Sequence, residues 1–376
     1  MRPETRPAMR QSVAARPLHS SSELPMRRRF RKLMMAAAFG AATLFSMPAH
    51  AADTLRLGIM PFVPYSASLL ARQHGWVEEE LKRAGHGDVK VIWTQFAGGP
   101  PINEAIASGN LDIAALGDTA ALIGHASGID DRIVGLSYKG EETLALMVRS
   151  DAPFQSVAEL KGKKVATLRG GNVHELLALI LAESGLKLSD VQFLNLSLQD
   201  MGTALIKNDI DAALVWDPVF TLLEAEGQAR ILRDGKGLKS NLIPIVASAS
   251  VIKQNPEYVR AYLRAIARGA DTLKNHPQEV AAILAPIFGL TPAQTLTAFS
   301  RSIWAPSLDA QALAELRRSV EFLFGNRLIR KPLDLDKFVD PGEAATTGMT
   351  PPLGLTGYLA PVDNPVNPNL AGAPDA

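Results

Sequence analysis

Short apolar runs rich in β-branched residues alternate with helical patterns along most of this chain, and few folds accept such an order. The candidate strands are Leu55–Met60, Val89–Gln95, Ile113–Leu116, Ile133–Leu136, Thr143–Val148, Lys164–Leu168, Val191–Leu196, Ala212–Val215 and Ile243–Ala249. Between them the spacing predicts helices at Ser66–Arg83, Pro101–Ser108, Val173–Ser184 and Asp200–Lys207. Pro101 suits a first helical turn, and Asp200 can cap the amides that follow it. The alternation predicts an α/β fold of parallel sheets covered by helices on both faces. From Pro256 to Phe324 four helical stretches follow one another with no further strand, and they are expected to pack back on the first lobe.

A repeat at an offset of 99 residues divides this pattern in two. Ala105-Ile106 and Leu111-Asp112-Ile113-Ala114 match Ala204-Leu205 and Ile210-Asp211-Ala212-Ala213, and Gly117-Asp118-Thr119 aligns with Trp216-Asp217-Pro218. Each copy reads helix, tight turn with Asp, short buried strand, polar turn. Two lobes of like topology are expected, each ending a strand in a turn at one shared cleft. Ligands in open α/β sheets bind beyond the carboxyl ends of the strands. The candidate ligand-binding residues are therefore Tyr65, Phe96, Gly98, Gly99, Gly117, Asp118 and Thr119 from one lobe. From the other come Gly170, Gly171, Asn172, His174, Trp216 and Asp217. No residue is assigned a catalytic or metal-binding role, and no cofactor is expected.

The two ends read differently. Met26-Arg27-Arg28-Arg29-Phe30-Arg31-Lys32 is basic, Leu33–Phe45 is apolar, and Ala49-His50-Ala51 has the small-x-small pattern of a signal-peptidase site. Residues 1–51 are thus expected to be a cleaved secretory leader with an extended basic region, translation starting at Met1 or Met26. The arginines suit either the general secretory or the twin-arginine route. The 13-residue apolar stretch is short for a membrane span, which needs about 20 residues. Residues 341–376 carry seven Pro and five Gly and are expected to be a disordered tail.

Without the leader the charge balance inverts. Of 39 Lys/Arg and 38 Asp/Glu, the first 51 residues hold nine and two, leaving 30 against 36, a net −6. An acidic body argues against nucleic acid as a partner. The chain has no cysteine, which excludes disulfides, a lipid-anchored cysteine and thiolate chemistry.

Phe96-x-Gly98-Gly99 before a helix, Gly109-Asn110-Leu111-Asp112 leading to Gly117-Asp118, the run Leu160-Lys161-Gly162-Lys163-Lys164-Val165-Ala166, Gly170 to His174, and Ala213-Leu214-Val215-Trp216-Asp217-Pro218 occur in that order. In this the chain resembles the nitrate/sulfonate/taurine group of periplasmic binding proteins of ABC transporters, over about Leu55 to Val339. The resemblance implies a type II periplasmic binding-protein fold, two α/β lobes closing over a ligand, with crossings near Tyr138–Thr143 and Ser240–Ile243. Residues 55–140 plus 243–339 would form the first lobe and 141–242 the second. It also implies a soluble, periplasmic, monomeric protein that hands a small anionic nutrient to a permease with its ATPase. Sulfonate-binding members tend to carry Ser or Thr where this chain has Gly171-Asn172, so two hydroxyl donors are missing.

Several residues admit plainer readings. Gly170-Gly171 can be a strand-to-helix turn needing positive φ, or can let backbone approach an anion at a helix start. His174 can be a packed residue, Trp216 a core residue, and Asp118 and Asp217 turn and capping residues. Gly235-Lys236-Gly237-Leu238-Lys239-Ser240 lacks phosphate-loop spacing and reads as a loop between lobes. The alternative ligand is an aromatic or pyrimidine-like precursor held by Tyr65, Phe96 and Trp216. An enzyme on the same fold is a further alternative. The related iron-dependent synthase type carries a cysteine-rich motif, and this chain has none.

Overall fold

A computed structural model describes residues 53–304 and 308–340, with Gly342. The leader and, apart from Gly342, the tail lie outside the described residues.

The alternating strand and helix patterns fold into two similar sheets with helices against them. The first sheet contains β1 (Thr54–Ile59), β2 (Lys90–Gln95), β3 (Ile113–Ala115), β4 (Asp131–Gly140) and β10 (Asn241–Ser248), ordered β2-β1-β3-β10-β4. The second contains β5 (Leu144–Arg149), β6 (Lys164–Thr167), β7 (Gln192–Asn195), β8 (Ala212–Trp216) and β9 (Ala229–Asp234), ordered β7-β6-β8-β5-β9. The chain leaves the first sheet at Gly140 and joins the second at Leu144, then leaves at Asp234 and returns at Asn241.

The sheets are mixed, which corrects the expectation of parallel ones. β10 runs antiparallel to β3 and β4, and β5 antiparallel to β8 and β9. The reason is geometric. β5 and β10 are the first strands after each crossing, so they enter at the end of the sheet where the other strands finish. β9 was not foreseen. It is an edge strand, Ala229-Arg230-Ile231-Leu232-Arg233-Asp234, mostly half-buried, and its alternation is weak.

The central strands read as unbroken apolar runs because both faces are covered. Leu144, Leu146 and Val148 of β5, with Ala212 and Leu214 of β8, face one apolar cluster. Ala145, Met147, Ala213 and Val215 face the other. The first lobe's helices are α1 (Ser66–His74), α2 (Trp76–Arg83), α3 (Gly99–Ala107) and α4 (Asp118–Ala126). The second lobe has α5 (Asn172–Glu183), α6 (Leu198–Ile206) and α7 (Val219–Ala225). Pro100 and Pro101 lie at the start of α3, whereas α6 is capped by Ser197, whose Oγ accepts the Asp200 amide at 3.2 Å. Asp200 lies in the first turn instead of capping it.

The last helices are α8 (Ala249–Gln254), α9 (Pro256–Asn275), α10 (Pro277–Phe288), α11 (Pro292–Ser300), α12 (Ala310–Gly325) and α13 (Leu335–Phe338). α9 packs on α1 and α2, and α13 on β4. α11 and α12 also reach the second lobe, α11 against α7 and α12 against both α4 and α5. The carboxy-terminal segment thus packs on the first lobe and braces the second.

Candidate functional site

The carboxyl ends of β1, β2 and β3 face those of β6, β7 and β8 across the cleft, and there the expected residues collect. Gly117 and Gly171, both in extended conformation, precede α4 and α5 and supply no side-chain cap. Helix starts of this kind leave amides pointing outward and favour negative charge. The lobes touch here: a Cβ at Gly117 would lie 3.9 Å from Asn172 Nδ2, and one at Gly170 3.4 Å from Ile123 Cδ1. Phe62, which the sequence reading did not single out, sets its ring edge-on to Trp216 at 6.3 Å and lies 6.5 Å from Tyr65. Trp216 is half-buried and Tyr65 almost wholly buried. Burial, then the nearby Asp118 and Tyr138, raises the Tyr65 phenol well above its ordinary range.

On the first lobe, Phe96 lies partly buried against the backbone of β1, within 3.4 Å of where a Cβ at Gly58 would stand. Gly99 is required by close packing, because a Cβ there would come within 2.4 Å of Ala120 Cβ. Gly99 thus lets α3 start against α4, but Pro100 and Pro101 remove two of the amides that a ligand could use. The amide of Thr119, a candidate ligand-binding residue, donates to Asp118 Oδ1 at 2.8 Å.

On the second lobe, Gly170 takes the left-handed conformation (φ 77°) while Gly171 does not (φ −84°). Asn172 is committed at both ends of its amide. Its Oδ1 accepts from the Val173 amide at 2.9 Å, and its Nδ2 donates to Asn241 Oδ1 at 2.6 Å. His174, a candidate ligand-binding residue, takes the packed alternative. It is buried between Phe193 and Phe322, and its Nδ1 accepts from the Gly170 amide at 3.3 Å. Burial, with a smaller effect from Arg169, pulls its pKa down to about 4, so the ring is neutral at pH 7 and holds the Gly170 turn. Arg169 itself is exposed at the rim, with its guanidinium 4.8 Å over the Phe193 ring.

Behind these helix starts lies a buried charged cluster that joins α4, α5 and α12. Lys239, on the second crossing, has a side chain only 2% exposed. Its Nζ lies 2.8 Å from Asp118 Oδ2, 3.0 Å from Glu175 Oε2 and 2.9 Å from Ser319 Oγ. Ser319 donates in turn to Glu175 Oε2 at 2.8 Å, and the Ser240 amide and hydroxyl both donate to Glu315 at 2.9 Å. Burial alone lowers the Lys239 pKa, but the Asp118 and Glu175 carboxylates outweigh it and hold the ammonium above its ordinary range. Burial raises Glu175, against the pull of Lys239. Asp118 therefore acts as an ion-pair partner at the root of the site.

Asp217 is the counterpart on the second lobe. Its Oδ1 accepts from the Thr221 amide at 3.2 Å, as expected of a capping residue. Its Oδ2 is buried without a hydrogen bond and lies 3.9 Å from Arg301 Nη1. Arg301 is itself bound to Thr221 Oγ1 at 2.8 Å and Glu224 Oε2 at 2.7 Å. Burial pushes the Asp217 pKa up to about 6, partly offset by the Thr221 hydrogen bond and Arg301. Among the described residues no group of three His, Asp or Glu is placed to hold a metal ion.

Asn241, Lys239, Glu175 and Arg301 carried no local signal of their roles. Lys239 lay in a segment legible only as a loop between lobes, and its partners Asp118, Glu175 and Ser319 are far away in sequence.

The chain is similar along most of its length to known binding proteins. It is 25% identical over 307 residues to a putative aliphatic sulfonates-binding protein of Escherichia coli K12, covering 81% of this chain and 94% of that one. To a protein of the same description from Bacillus subtilis 168 it is 27% identical over 289 residues, 76% of this chain and 85% of that one. Among solved structures, the alkanesulfonate-binding protein of Xanthomonas axonopodis pv. citri bound to MOPS superposes with a TM-score of 0.69 at 27% identity, covering 77% of this chain and 99% of that one. The two hinged α/β lobes are thus those of the type II periplasmic binding-protein fold. The family model described as NMT1/THI5 like matches residues 69–280, more than half of the sequence, and the chain belongs to that family, with the nitrate/sulfonate/taurine-type binding proteins of ABC transporters as its kin.

Proposed function

We propose that the exported chain captures a small anion of the sulfonate, taurine or nitrate class between its lobes and presents it to the permease and ATPase of an ABC importer. The observation that carries this reading is the near full-length likeness to aliphatic sulfonates-binding proteins. The cleft supports it, with the starts of α4 and α5 converging and Arg169 at the rim. Micromolar capture requires about 8 kcal/mol. A helix start contributes about 0.3–1 kcal/mol, or up to about 2 when partly buried, so donors from both lobes act together and binding is coupled to closure. The protein works in the periplasm as a monomer and transforms nothing. In support, the relatives matched over most of their length are named as binding proteins, whereas a desulfinase is matched in sequence over only 36% of this chain. The sequence has no thiol and no nucleophile beside a base.

A thermal-shift series on the mature chain tests this with nitrate, sulfate, taurine, alkanesulfonates, aromatic sulfonates and pyrimidines. A true ligand at a hundred times its Kd adds about 2.7 kcal/mol of stability. Asn172→Asp, which sets a negative charge at the start of α5 and removes the Nδ2 donation to Asn241, abolishes that shift while the fold persists. The aromatic contact of Phe62 with Trp216, backed by Tyr65, favours a second reading, an aromatic or pyrimidine-like solute. A shift with pyrimidines and none with any anion gives that reading the lead.

A further inference from the structure

Lys239 stands where three pieces of the fold meet. Asp118 opens α4 on the first lobe, Glu175 lies in the first turn of α5 on the second, and Ser319 belongs to α12, which packs against both. All three reach one ammonium within 3.0 Å, and the Lys239, Asp118 and Glu175 side chains are no more than 4% exposed. The segment that carries the lysine is itself fixed. Its neighbour Ser240 is bound twice to Glu315 of α12, and the Gly237 amide donates to Glu141 Oε2 of the other crossing at 3.0 Å.

We propose that Lys239 is a positioning residue for ligand capture, which draws the first turns of α4 and α5 together and so sets the gap across which a ligand is held. When the lobes part, Asp118 and Glu175 separate, and one ammonium cannot follow both. The tie exists in full only in the closed arrangement, so its attraction adds to the closing tendency without any contact with the ligand. A buried charge is strongly favoured only while its partners are in place, which makes the tie sensitive to the distance between the lobes. The consequence for affinity rests on the binding-protein reading above, whereas the consequence for lobe separation does not.

The absence of cysteine allows a direct test. Ala97→Cys beside β2 and Gln199→Cys in α6, both exposed positions at the cleft-facing ends of their lobes, are spin-labelled in the ligand-free mature protein. Pulsed electron resonance then gives the distance distribution between them. Lys239→Met is expected to raise the long-distance population at least tenfold relative to the short one. Because that variant also leaves two carboxylates buried without their cation, the triple variant Lys239→Met with Asp118→Asn and Glu175→Gln is measured beside it. The triple variant recovers melting temperature but keeps the long-distance population, which separates positioning from support of the fold. A folded triple variant with the wild-type distribution overturns the inference, whatever happens to the melting temperature. Since no ligand enters this measurement, failure of every sulfonate to bind leaves its result unaffected.

Discussion

The turn after β3 and the turn after β8 are built on the same frame and carry opposite electrostatics. In both, a residue in the left-handed conformation ends the preceding helix, Gly109 (φ 71°) in one and Asn208 (φ 62°) in the other. In both, an aspartate then ties the incoming strand to its neighbour. Asp112 Oδ2 accepts the Arg56 amide at 2.8 Å, and Asp211 Oδ2 accepts the Lys164 amide at 2.9 Å. After the strand comes a second buried aspartate. Asp118 meets a buried ammonium at 2.8 Å, whereas Asp217 has only Arg301 at 3.9 Å, a cation already bound to Glu224. One frame thus supports a fully paired carboxylate and an under-paired one. The partners come from the second crossing and from the end of α11, far outside the repeat, so duplication of the backbone does not duplicate the chemistry.

Breaking the well-paired copy has the largest effect. Lys239→Met leaves Asp118 and Glu175 buried without their cation, and unfolding in urea should show a loss of about 3–5 kcal/mol.

The under-paired copy should respond in the opposite direction. The folded pKa of Asp217 is about 6, against an ordinary 3.8, so the folded state keeps a proton that the unfolded state has already released. Its contribution is therefore greatest at low pH, falls as pH rises from about 4 through 6, and is lost above that. Asp217→Asn keeps an acceptor for the Thr221 amide and removes this fall. Each tenfold difference in proton affinity between the folded and unfolded chain is about 1.36 kcal/mol. At pH 8 the variant should therefore gain up to about 3 kcal/mol over the wild type, and at pH 4 almost nothing. Denaturation curves at the two pH values check it, and a gain equal at both refutes the role given to Asp217.

The frame itself is sharpened by smaller changes. A Cβ at Gly109 would meet nothing within 4 Å, so Gly109→Ala costs only the left-handed conformation, about 1 kcal/mol. Asn208→Gly, at the matching position, keeps the conformation but removes the Oδ1 that accepts from Arg149 Nη1, so it should lower stability by up to about 1 kcal/mol. Thermal melts of the two variants compare the copies directly.

Much of this was legible in the residues. Every strand but β9, the helix starts near Pro101 and Val173, which the structure sets at Gly99 and Asn172, and the correspondence of the two cleft turns follow from alternation, punctuation and an internal repeat, because these are effects of neighbours in sequence. β9 escaped since an edge strand need bury only part of itself and carries two arginines. The candidate residues lie at the strand ends and helix starts where topology puts them, but the hydrogen bonds of their side chains were not legible. His174 became a neutral acceptor within the second lobe, the Thr119 amide was taken by Asp118, and Asn172 was bound at both ends.

Composition and periodicity alone determined that this chain makes two α/β lobes of like topology, since burying one face per turn or per pleat is settled locally. Only the tertiary structure decided that β5 and β10 run backward and that α12 braces both lobes. It alone decided that Lys239 meets Asp118, 121 residues away, and that Ser319 reaches Glu175 across 144. A charge is placed by whatever lies nearest in space once the chain has folded, and no spacing along the sequence encodes that distance.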